Sequence, residues 1–180
     1  MMIRLLIACA SLGLLSSASP AIAQGRSLES SLNFIRDQIV SQGRIDYVAN
    51  LHDSATNQSW TNQFSALASN VTVDVSGCRI GFHWFTSLDG KTVQDMDGGL
   101  PLRLASAVSV VNREQEIRSQ VVEAGHPTWV ATVSPAVWVV TVKTSTKSHV
   151  LDFTNQDTAE RAVRAIDHVM DLCGSPKEKF

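Results

Sequence analysis

LDFTNQDTAERAVRAIDHVMDLCG, residues 151–174, reads as the end of a strand, a polar turn and a long amphipathic helix. Ala159, Ala162, Val163, Ile166, Val169, Met170 and Cys173 recur at intervals of three, one, three, three, one and three, tracing one apolar stripe. Glu160, Arg161, Arg164, Asp167 and Asp171 fall on the outward faces. Asp157, with Glu160 three residues on, predicts an N-cap of the capping-box type, and Gly174 and Pro176 supply the stop. A helix with one apolar stripe must lie on something. The residues before it supply strands.

Ser27 opens a second helix-period segment, in which Leu28, Leu32, Ile35 and Ile39 share a face that Phe34 and Val40 widen. Glu29 suits the first turn and Gly43 the stop, which predicts a helix over 28–41. After Gly43 the period shortens to two. Ile45, Tyr47, Ala49 and Leu51 alternate with polar residues in a strand over 44–51, and 53–58 (DSATNQ) form a turn. A second strand follows at 59–67 and a third through Val71, Val73 and Val75; Gly77 breaks it before a fourth, Cys78–Thr86. Residues 87–100 read as a loop because Asp89-Gly90 and Gly98-Gly99 are turn signals. Leu102–Val111 resumes strand character, and Asn112–His126 suits a short helix or a loop. Thr128–Val133 and Val137–Lys143 read as a hairpin pair, and His149–Phe153 as the last strand. The fold class is therefore α+β: an antiparallel seven- to eight-stranded β-barrel or sandwich between an N-terminal helix and a C-terminal capping helix.

At 180 residues the chain suits about one domain. Charged residues are 18%, hydrophobic residues 44% and the net charge −2, a balance that excludes a disordered chain, a basic nucleic-acid binder and a multi-pass membrane protein. Residues 1–23 read as a signal peptide: Arg4 is the n-region, Leu5–Leu15 the apolar core and Ala21-Ile22-Ala23 the cleavage site. Leu6-Ile7-Ala8-Cys9 imitates a lipobox, but only four residues separate Arg4 from Cys9 and the apolar run continues past it. Cleavage after Ala23 leaves no integral membrane segment, a domain over 24–174 and a polar tail over 175–180. The destination is the periplasm or the exterior. Two cysteines remain, Cys78 and Cys173, and an even pair in an oxidising compartment predicts a disulfide.

A run of antiparallel strands closed by one C-terminal helix resembles the pleckstrin-homology-like barrel, over residues 44–174 in element order. The A-x-R-A-x-x-A pattern of Ala159, Arg161, Ala162 and Ala165, ending in Leu172-Cys173-Gly174, is similar to secreted bacterial proteins of unknown role. Lipid-binding members of the pleckstrin-homology family grip inositol phosphates with basic residues around the first strand–loop–strand. The matching loop here, His52–Gln58, holds Asp53 and no Lys or Arg, a departure from that pattern. An NTF2-like cone would need more helix before the strands. A lipocalin-like barrel would imply a ligand cavity.

Chemistry-bearing motifs are sparse. Asp95-x-Asp97-Gly98 supplies part of a calcium loop, with Asp89 nearby, but Val93 holds the first acidic position and Leu104 the bidentate one. An EF-hand is excluded; a looser cation site at Asp89, Asp95 and Asp97 competes with a plain turn. His52, His83, His126, His149 and His168 show no metal-binding spacing, so no metal and no cofactor are expected. His83 reads as an outward strand residue or a satisfied core group, and His168 as half-exposed. No G-x-S-x-G, S-x-x-K or phosphate-cradling motif occurs in the mature chain, so no catalytic residue is assigned. Trp60, Trp84, Trp129 and Trp138 read as core anchors; two surfacing on one sheet face would instead mark a partner or glycan platform. An edge strand offers another partner surface. The reading is an exported, non-catalytic binding domain for a protein or envelope component. The alternatives are a carrier of a small apolar ligand in a barrel cavity and a hydrolase, which would need a nucleophile–base pair in a cleft.

Overall fold

The computed structural model describes residues 20–176, with side chains from residue 28 onward. Its elements are α1 (Pro20–Gln42), β1 (Arg44–Asp53), β2 (Gln58–Asp74), β3 (Arg79–Leu88), β4 (Lys91–Pro101), β5 (Ala105–Asn112), α2 (Arg113–Glu123), β6 (Trp129–Ser134), β7 (Trp138–Thr144), β8 (Ser148–Phe153) and α3 (Gln156–Leu172). Five strands form one sheet in the order β4-β3-β2-β1-β6; three form another, β5-β7-β8. Every pairing is antiparallel. The α+β class and both flanking helices stand, but β4 and β6 end the larger sheet without meeting, so there are two open sheets and not a closed barrel. The signal peptide lies mostly outside the described residues, as do the last four residues of the tail.

One apolar cluster joins the layers. Leu32, Ile35 and Ile39 of α1 meet Ile80, Phe82 and Leu100 of the larger sheet, Val140, Val142, Leu151 and Phe153 of the smaller sheet, and the α3 stripe. Ala159, Ala162, Ile166, Val169 and Met170 are all fully buried, as their spacing predicts. Phe34 and Val40 are instead exposed. At about 100° per residue they lie roughly a third of a turn to either side of the Leu32–Ile39 line, beyond the width of the contact. A smaller cluster of Ile45, Tyr47 and Val137, with Phe64 and Val133 against it, fills the β1–β6 side.

Four strand expectations are corrected. The second and third strands are one, β2, carried across a register shift between Ser69 and Thr72 where Asn70 adopts a positive φ. The break in alternation is thus a bulge. Residues 87–100 are mostly strand: only Asp89-Gly90 turns, and β4 pairs with β3 along its length. Lys91–Asp97 is exposed on both faces, so its side chains carry no alternation to read. Gly98-Gly99 is strand too, and a Cβ at Gly99 would stand 2.3 Å from the Ile80 carbonyl oxygen, so glycine there permits a close backbone approach. Leu102–Leu104 form a 3-10 turn before β5.

The fourth correction concerns the expected β6–β7 hairpin. The two strands are neighbours in sequence but not partners, because β6 pairs with β1 and β7 lies between β5 and β8. Pro135 has no N–H to offer a ladder, and Val137 is drawn beneath Tyr47. The free side of β6 is taken by α2, where the Glu114 carboxylate accepts the Val133 N–H at 3.2 Å. Residues 113–123 of the ambiguous stretch are therefore helix, capped by Asn112, whose side chain accepts from the Glu114 N–H. On α3 the cap is Asn155 rather than Asp157. Its side chain accepts from the Thr158 N–H, and Asp157 sits in the first turn.

Candidate functional site

The strand registers bring three rings together at one end of the larger sheet. Trp60 on β2 stands opposite Leu51, and Trp129 on β6 stands opposite Asp53, so both indoles share the sheet face that Leu51 and Asp53 occupy. Trp129 stacks on Trp60 with ring centroids 4.6 Å apart, and His126 stacks on Trp129, also at 4.6 Å. The result is a ladder of three rings. Trp60 is 41% exposed, and His126 is exposed beside it. Trp84 and Trp138 pack against the main core, as expected; Trp60 and Trp129 surface.

Asp53 anchors this end from the same face. Its carboxylate accepts from the Thr56 and Thr128 hydroxyls, both at 2.7 Å, and from the Ala55 N–H at 3.0 Å. Those donors, Thr56 first, with a lesser contribution from the Trp129 indole, hold the carboxyl down at about 2. The Thr128 carbonyl in turn accepts from the Ser54 N–H and hydroxyl. The β1–β2 turn and the segment leading into β6 are thereby tied together, which fixes Trp129 relative to Trp60.

A second feature lies toward the other end of β2. Between β3–β4 and the start of β8 is a cleft of about 510 Å³. Phe82, Trp84, Met96 and Val150 give it an apolar lining, and Arg79, Lys147 and His149 border it. The His149 Nε2 atom is buried with no hydrogen-bond partner, a deficit that costs about 1–3 kcal/mol. Burial and the nearby Lys147 and Arg79 charges lower the pKa of its imidazole.

The three candidate acids separate. Asp89 turns into the β3–β4 connection and accepts from the Gln63 N–H at 2.8 Å. Asp95 and Asp97 converge instead on His83, which donates to them from Nε2 at 2.7 Å and Nδ1 at 3.0 Å. Asp97 first and Asp95 second raise the imidazole pKa. No cluster of three or more His, Cys, Asp or Glu side chains suited to a metal ion occurs among the described residues. His52 Nδ1 and Ser59 Oγ are 3.0 Å apart across β1–β2, a serine–histidine contact made between directly paired strand residues.

Arg113 is the buried ionic centre of the molecule. It pairs with Asp152 and Glu116 and lies over the Tyr47 ring, 5.8 Å from its centroid. Desolvation raises the Asp152 pKa although Arg113 opposes the shift. Burial, helped by Asp152 and Glu116 and opposed by Arg113, pushes the Tyr47 phenol up to about 12. Cys78, in the turn before β3, and Cys173, the C-cap of α3, place their sulfurs 2.18 Å apart with Cα atoms at 6.2 Å. The sequence pairs these two cysteines but assigns no role to Arg113 or to the cleft. Both are assembled from residues distant in the chain. No family model matches the chain, and comparison with curated proteins and with solved structures finds no match.

Proposed function

We propose that the protein is an exported, non-catalytic binding domain that engages a protein or other component of the cell envelope through the Trp60–Trp129–His126 ladder. The observation that carries this reading is the ladder's exposure while the rest of the sheet end is tied down by hydrogen bonds. Tryptophan gives large contact area with few rotatable bonds, and such residues dominate the energetics of interfaces when set in a rigid surround. The leader and the cysteine pair support export, and no helix among the described residues is long and apolar enough to cross a membrane. Kinship with pleckstrin-homology-like domains belongs to the same proposal, supported by the β1–β4 meander and the closing helix.

Affinity capture from an envelope extract, run in parallel with wild type and Trp60→Ala, tests the reading. Components retained by the wild type should be lost or reduced at least about tenfold with the variant, as truncation of an interface anchor typically costs 2 kcal/mol or more. Identical retention by both proteins would remove the ladder from any binding role.

A further inference from the structure

We propose that the cleft between β3–β4 and the start of β8 is a binding site for a single-chain anionic amphiphile, a long-chain carboxylate. The site is separate from the aromatic ladder: Trp84 lines it opposite Ala68 of β2, eight residues along the strand from Trp60. Its volume, about 510 Å³, falls in the range of small-molecule sites. Three observations specify the occupant. Phe82, Trp84 and Met96 face the space from one sheet, and Met96 is 56% exposed, which leaves an open apolar floor suited to an alkyl chain. Gly98 lies opposite Phe82 in the register, so no side chain from that position fills the space above the phenyl ring.

The rim has the complementary charge. Arg79 donates to the Gly98 carbonyl at 3.5 Å and stands opposite Asp74 in the β2–β3 register without a direct ion-pair contact, and Lys147 forms no ion pair among the described residues. Asp97 also lines the cleft, but its carboxylate is bonded to His83 on the opposite face of the sheet. His149 adds a buried ring nitrogen without a partner. A carboxylate head would meet the Arg79 and Lys147 cations and accept a hydrogen bond from a protonated His149 Nε2, while an uncharged head would leave the cations as they are. The alkyl chain would cover Trp84 and Met96.

Titration of the full chain with dodecanoate, kept below its micelle concentration, and with dodecanol tests the assignment by calorimetry and tryptophan fluorescence. The expected result is saturable one-to-one binding of dodecanoate, weakened at least about tenfold by the double substitution R79Q/K147Q and again by Met96→Asp. Dodecanol should bind more weakly and respond to Met96→Asp but not to the charge substitutions. Both sets of positions border open space, and melting temperatures close to wild type show that the variants fold. Trp60→Ala should leave dodecanoate binding intact, which separates this site from the ladder. Absence of saturable binding would overturn the proposal, as would equal affinity for acid and alcohol or indifference to R79Q/K147Q.

Discussion

Tyr47 offers a direct spectroscopic view of the buried ionic centre, because it is the only tyrosine in the chain. Its ring is stacked on Phe64 at 5.0 Å and lies under the Arg113 guanidinium. Burial favours the neutral phenol over the phenolate, so the folded-state pKa stands at about 12 against about 10 for a free tyrosine. The folded state therefore holds its proton where the unfolded state has lost it. This contribution to stability is complete below about pH 10 and is lost as pH rises toward 12. An ultraviolet titration of the native protein should show no phenolate near pH 10 and a midpoint near 12. A midpoint near 10 in a chain still folded by circular dichroism would mean that the phenol is open to water. The sequence marks Tyr47 as an inward strand residue, in line with Ile45, Ala49 and Leu51 and alternating with Arg44, Asp46 and Asn50. Nothing local announces Arg113 or Asp152 above it, because burial of an ion pair is a property of the packed molecule.

The start of α3 separates what sequence pattern can place from what it cannot. Asp157 and Glu160 imitate a capping box, yet the bond is made by Asn155, which accepts from the Thr158 N–H at 3.1 Å. Asn155→Ala should therefore cost about 0.5–2 kcal/mol in denaturant unfolding, and Asp157→Ala only a few tenths through the helix dipole. The reverse ranking would restore Asp157 as the cap. Boundaries shift in this way because neighbouring polar residues can all serve as caps and packing selects among them. Periodicity survives better: the α3 stripe, the α1 line and the β1 alternation were all legible because each buries one face, the helices in the main cluster and β1 in the smaller one. Strand β4 was not, since an edge strand exposed on both faces has no alternation to show. The β6–β7 break was not legible either, because pairing partners are chosen by the whole sheet. The same limit applies to the functional candidates. Trp60 and Trp129 carried a core reading on residue type alone, and only their register across β1 brings them side by side at the surface.

Taken whole, the molecule is two open sheets and two long helices joined through one apolar cluster, and Cys78–Cys173 is its one covalent tie among the described residues. The tie joins the β2–β3 turn to the far end of α3, so it fastens the closing helix, which packs on the smaller sheet, to the larger sheet as well. Around it the C-terminal chain is also held without sulfur, for the Ser175 hydroxyl donates to the Leu102 carbonyl at 2.5 Å, and the Leu102 N–H donates to the Cys78 carbonyl. The cross-link spans 95 positions, and the chain-entropy account of so long a loop gives about 4–5 kcal/mol of stabilisation. That is a large share of the 5–15 kcal/mol typical of a domain. Cys78→Ser and Cys173→Ser should each lower the melting temperature of the oxidised protein, by roughly 10–20 °C for a domain of this size. The double variant should melt no lower than the less stable single variant, because either change alone already removes the one shared bond. Reductant should bring the wild type down toward the variants and leave the variants unmoved. If melting of the wild type were the same with and without reductant, the apolar stripe of α3 alone would be holding the helix to the sheets, and the cysteine pair would contribute nothing to the closure.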